Sequence, residues 1–247
     1  MAAGSANVGT GVQSSTGDDL NKYFAEYDMK DKTRVAYIVD SECLSNDAID
    51  FGRALKRIGF KYVTISNIYE MMCKDWKKFN EDKRYGNIGC FVFVIINYDL
   101  KNDGFDEVAL ISNLTADKGP SLAGVPKLIF IEPSRVDRGR HKTDGPEPEP
   151  TQRKIPITAD LLVFRSWWNE FLPISGGHGD SPFMKTLSNV FIKYGTEYEI
   201  MKLLTAVSNY IASCKFQSSD NSENNGCKQI TRIMSTLLKK LKFEPRN

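Results

Sequence analysis

Apolar positions along the chain come in two alternating kinds of stretch. Val35–Val39, Tyr62–Ile65, Cys90–Ile96 and Val125–Ile131 are short continuous runs rich in β-branched and aromatic residues. Such runs predict strands, and the most apolar of them, Cys90–Ile96 and Leu128–Ile131, predict burial on both faces, as in a parallel sheet. Between them the apolar residues recur at helical spacing. Ala48, Phe51, Leu55 and Ile58 form one stripe, with Asn46–Asp47 as its caps and Gly59 as its stop. A second helix is expected over Ile68–Phe79, burying Met71 or Met72, Trp76 and Phe79. Later, Asp160–Phe164 predicts another strand. Phe183, Leu187, Phe191 and Tyr194, then Ile200, Leu203, Leu204, Val207 and Ile211, predict helices over Ser181–Tyr194 and Glu197–Cys214. A last strand is expected within Gln229–Phe243. Strands alternating with helices imply right-handed βαβ units and a mostly parallel α/β sheet.

The pattern fails in two places. Met1–Gly17 is small and polar, with almost nothing to bury, and reads as a flexible tail. Val136–Arg153 is charged and proline-rich without periodicity, and reads as an exposed, protease-accessible linker. The region between Asp99 and Val125 reads as a turn-rich connection.

Composition narrows the function classes. With 33 basic and 31 acidic residues, no strong field points to nucleic acid or an anionic membrane. No apolar run approaches the about 18 residues of a membrane-spanning helix. Five cysteines without paired spacing fit reduced thiols in the cytoplasm. No glycine loop that cradles phosphate and no metal-spaced Cys/His cluster is present, so neither cofactor nor metal is expected.

The run ending at Ile131 places Glu132-Pro133-Ser134-Arg135 beyond the carboxyl end of its strand, where open α/β sheets hold their ligand sites. A cysteine nucleophile needs a thiolate and a nearby base. Cys90 lies at the amino end of its strand, and Cys43 lies in a loop near a strand's carboxyl end. The two histidines, His141 and His178, lie in the linker and in a glycine-rich loop. Ser134 sits where a nucleophile belongs, but Asp99 or Glu132 alone is a poor activator of serine at neutral pH.

In order, Phe91-Val-Phe-Val-Ile-Ile-Asn-Tyr-Asp99, Pro126-Lys-Leu-Ile-Phe-Ile-Glu-Pro-Ser-Arg-Val136, an Asp-containing linker, Lys154-Ile-Pro156, Ala159-Asp160 and Lys228-Gln-Ile230 resemble the caspase family. The resemblance covers about Asp31–Phe243. It implies a caspase-like three-layer αβα sandwich around a mostly parallel six-stranded sheet, with the last strands at a dimer edge. The family's Ser-His-Gly triplet corresponds to Asn97-Tyr98-Asp99, which places Tyr98 at the general base. Its Gln-Ala-Cys-Arg-Gly segment corresponds to Glu132–Val136, which places Ser134 at the nucleophile. The arginine that grips the substrate aspartate falls at about Ser175. Tyrosine titrates near 10, serine lacks a ready thiolate and Ser175 lacks a guanidinium. The resemblance therefore implies no catalytic residues and no enzyme: a pseudocaspase of the insect decoy kind.

The same resemblance implies a single domain with an N-terminal tail over 1–30, a large-subunit-like region over 31–136, a linker over 137–153 and a small-subunit-like region over 154–247. Asp144-Gly145 is the candidate cleavage site, and Arg232, Met234 and Thr236 are the candidate dimer interface. The expected role is pairing with an active caspase paralogue to enhance its activity and so regulate apoptosis. A homodimer, a decoy that inhibits its partner, a residual hydrolase and an adaptor-binding scaffold are the alternatives.

Overall fold

A computed structural model describes residues 24–41, 44–66, 85–98, 107–115, 118–133, 159–167, 181–214 and 229–245. Six strands form one sheet: β1 Thr33–Asp40, β2 Tyr62–Ser66, β3 Ile88–Tyr98, β4 Lys127–Pro133, β5 Leu161–Trp167 and β6 Ile230–Ser235. Their order is β2-β1-β3-β4-β5-β6. All neighbours run parallel except β5 and β6, which are antiparallel. The expected mostly parallel α/β sandwich is therefore the observed fold.

Strand alternation sorts the core into two layers. Ala36, Ile38, Val92, Val94, Leu128, Phe130, Leu162 and Phe164 face one side. That side is covered by α1 Asn46–Arg57, α3 Pro182–Tyr194 and α4 Ile200–Ser213 (α2 covers the other side, below). At its centre the ring of Phe130 meets Phe51 of α1 at 5.5 Å, Phe191 of α3 at 5.8 Å and Phe164 of β5 at 6.3 Å, all edge to face. Edge-to-face geometry suits the ring quadrupoles, so this cluster adds orientation to plain burial. Val35, Tyr37, Phe91, Phe93, Ile129, Ile131, Leu161 and Val163 face the other side, covered by α2 Glu107–Asn113 and a 3-10 turn at Pro120–Leu122.

Several boundaries differ from expectation. The cap of α1 is Ser45, whose hydroxyl accepts from the Ala48 amide at 3.3 Å, while Asn46 and Asp47 lie inside the helix. The connection after Asp99 contains the helix α2. β5 begins at Leu161 and continues to Trp167, because Arg165, Ser166 and Trp167 pair with Arg232, Thr231 and Ile230. β6 falls within the expected Gln229–Phe243 span. After Ser235 the chain leaves the sheet, and Lys240 exchanges backbone hydrogen bonds with Ala25 and Tyr27. The expected helix over Ile68–Phe79 lies outside the described residues.

Those bonds also correct the tail. Within 1–30, Tyr27 and Met29 are buried in the core. The Tyr27 hydroxyl donates to Asp160 Oδ1 at 2.6 Å and accepts from the Leu238 amide at 3.1 Å. Burial, with the Asp160 hydrogen bond adding to it, holds this phenol well above the usual tyrosine range. The segment around Tyr27 is thus tied to the turn that enters β5.

Truncating Phe130 to alanine removes the ring shared by α1, α3 and β5, and should destabilise the fold by about 3–5 kcal/mol. Urea unfolding checks this. A loss below about 1 kcal/mol would mean that the cluster collapses around the cavity and does not anchor the layers.

Candidate functional site at the carboxyl ends of the strands

Following the strands to their carboxyl ends turns the apolar pattern polar. On the face that carries Phe130, the next same-face positions are Asp40 of β1, Glu132 of β4 and Ser166 of β5. All three side chains are buried. Gln229, just before β6, is fully buried too. The sheet's apolar floor therefore ends in a row of polar side chains.

Buried polar groups need partners; helix starts supply them for Asp40 and Glu132, whereas the Ser166 hydroxyl and the Gln229 side-chain amide make no hydrogen bond among the described residues. The Ser45 amide donates to Asp40 Oδ2 at 2.6 Å. Ser181 is the hub of a second cluster. Its hydroxyl donates to Glu132 Oε1 and accepts from the Met184 amide at 3.2 Å, while its amide donates to Asp47 Oδ2 at 2.8 Å. One residue thus caps α3 and joins β4 to the first turn of α1. The positive ends of both helices favour the carboxylates gathered there.

β3 reaches this end through an irregularity. Asn97 has φ +56, and the register advances so that Ile95 pairs with Ile131 but Tyr98 pairs with Pro133. An inserted residue of this kind is a bulge, common beside functional sites. Ser41 fastens it, its hydroxyl donating to the Asn97 carbonyl at 2.5 Å. The backbone therefore sets Tyr98 opposite the residue that precedes Ser134 in the chain. Ser134, Ser175 and Asp144, together with both histidines, lie outside the described residues.

Cys90 is excluded as a nucleophile. It lies near the amino end of β3 and is fully buried, and burial pushes its thiol from 9.0 up to about 12. Among the described residues no group of three or more His, Cys, Asp and Glu side chains could hold a metal ion. No described helix is long and apolar enough to cross a membrane.

At the far edge, Arg232 is exposed and Met234 is half-buried against the layer that holds α2. Thr236 lies beyond β6, and its hydroxyl is engaged with the Leu161 backbone at 3.2–3.3 Å. Of the three interface candidates, only Arg232 and Met234 belong to the strand. Sequence reasoning missed the Glu132–Ser181–Asp47 junction. It also missed two exposed apolar residues, Ile230 on β6 and Tyr210 on α4. A serine before a proline at a helix start signals a cap, but nothing local shows that it also grips Glu132.

Residues 38–242 match the family model for the caspase domain, a peptidase family. The chain is 30% identical over 223 residues to caspase-7 of Gallus gallus, an alignment that covers 80% of this chain and 69% of that protein. It is 29% identical over 227 residues to caspase-1 of Spodoptera frugiperda, covering 86% and 73%. The crystal structure of the Spodoptera protein superposes with a TM-score of 0.67 at 27% identity, covering 90% of this chain and 96% of that one. These matches overturn the expectation that the chain is no enzyme: the matching family is a peptidase family and the relatives bear the names of caspases.

Iodoacetamide at about pH 8 should leave Cys90 unmodified in the folded chain and label it in denaturant, as read by mass spectrometry. Above an ordinary thiol pKa of 9.0 the unfolded chain loses this proton while the folded one keeps it up to about 12. Stability is therefore expected to fall as pH rises through that window, and a Cys90→Ala variant should show less of this slope.

Proposed function

Because the chain belongs to the caspase-domain family, we propose that it works in the regulation of apoptosis by pairing with an active caspase chain and raising that partner's activity. The supporting observation is that β6 is the outermost strand of the sheet, with no strand on its far side among the described residues. A free edge invites another strand, and this one offers exposed Ile230 and Arg232. Met234 and Thr236 complete the proposed interface. Pairing that is tighter with the partner's active conformation shifts its population toward that conformation. Inhibition through an unproductive pair, as by a decoy, is the opposite sign of the same contact.

Tyr98, Ser134 and Ser175 are proposed as the residues at the family's base, nucleophile and aspartate-binding positions. Asp144 is proposed as the cleavage point between the 31–136 and 154–247 regions. A second reading is favoured by the match to a peptidase family: hydrolysis by the chain itself, with Ser134 as the nucleophile.

Adding the purified chain to an active caspase should increase turnover of an Asp-containing peptide and give a mixed dimer by light scattering. Met234→Glu should abolish both while a thermal melt still reports a folded protein. Unchanged partner turnover over a saturating titration would sink the modulator reading. Turnover by the chain alone that disappears in Ser134→Ala would establish the second reading instead.

A further inference from the structure

Strand β6, Ile230–Ser235, carries one charged residue, Arg232. From Gln229 to Phe243 the chain has four basic residues, Arg232, Lys239, Lys240 and Lys242, and no aspartate or glutamate. Within the sheet, Arg232 is the direct partner of Arg165 on β5. Two guanidinium-bearing residues thus stand side by side on neighbouring strands, at positions that share the face of Val163 and Met234. Like charges directly opposite one another in an antiparallel pair are unfavourable. Arg232 is exposed, and neither ion pair found among the described residues involves it.

A strand added to the free side of β6 puts one side chain directly opposite Arg232 on that same face, with Cβ atoms about 4.5–5.5 Å apart. Let the added strand be β6 of a second copy, related by a two-fold axis normal to the sheet. Alternation then limits the residue facing Arg232 to the copy's same-face positions: Ile230, Arg232, Met234 or Thr236. None is acidic, in any register. A second copy brings its own Arg232 to the seam and no carboxylate from this segment to offset it. A carboxylate is the group that fits a guanidinium fork, since it accepts two parallel hydrogen bonds.

We propose that Arg232 selects the partner at the β6 edge: it disfavours a second copy of this chain and favours a caspase-domain chain with an aspartate or glutamate opposite Arg232. The selection rests on the edge-pairing reading above. Charge sets the choice, and the exposed apolar surface of Ile230 is available to any partner.

Sedimentation equilibrium of the full chain alone tests the selection without reading any activity. Self-association of the unmodified chain should tighten between about 0.05 and 0.5 M salt, as screening weakens the repulsion. Arg232→Gln should self-associate about tenfold more tightly at low salt and lose that salt response. Arg232→Glu mixed with the unmodified chain should form a mixed dimer in preference to either homodimer. Equal self-association of Arg232→Gln and the unmodified chain, with both dimerising, overturns the selection but leaves edge pairing standing. No association of any variant or mixture up to about 100 μM overturns both.

Discussion

Side-chain alternation, kept in register across parallel strands, is the constraint on which this structure depends. Once Phe93, Ile129 and Val163 face one layer, Val94, Phe130 and Phe164 must face the other. A slip of one residue in any strand would exchange its whole core set with the opposite face. The same rule continues past the apolar residues. It puts Asp40, Glu132 and Ser166 at the carboxyl ends on one face and Arg165 and Arg232 on the other. A polar floor and a basic edge are thus consequences of one periodicity.

The two ends of the sheet are treated differently. At the amino ends, Cys90 is sealed in the core, and Lys127 is held by the carbonyls of Leu122 and Val125 at 3.2 and 2.9 Å. Burial lowers the Lys127 ammonium below the usual lysine range, while the neighbouring Asp160 opposes the shift. At the carboxyl ends, two helix starts converge on buried carboxylates through Ser45 and Ser181. Backbone amides at the helix starts are fixed donors, and the helix dipoles favour the acidic side chains buried there. This is also where the bulge at Asn97 brings the end of β3 against the end of β4.

The proposed pairing edge and the strand ends are separate parts of one sheet. The strand ends hold Glu132 and Tyr98, whereas β6 lies at the edge beyond β5. A contact at β6 reaches the carboxyl ends through β5, whose Arg165–Trp167 segment pairs with β6 and whose neighbour is β4. Packed strands transmit small displacements because interiors are dense and poorly compressible. This gives edge pairing a physical route to the site.

By itself, the sequence determined the strands buried on both faces, since runs such as Cys90–Ile96 can satisfy neither water nor a one-sided sheet. It also determined the stripes of α1, α3 and α4, because those apolar residues recur at the helical period. The carboxyl end of β4 was legible as the site for the same reason: the apolar run stops where the polar residues begin. The ends of elements were not legible. Ser166 and Trp167 remain in a strand because Thr231 and Ile230, more than sixty positions later, pair with them. Ser181 and Glu132 are 49 residues apart, and Tyr27 and Asp160 are 133 apart. Contacts over such separations have no local signature: a serine before Pro182 looks the same whether it merely caps a helix or also holds a carboxylate. Local periodicity therefore fixed which residues are inside, and only tertiary pairing decided which polar residues meet.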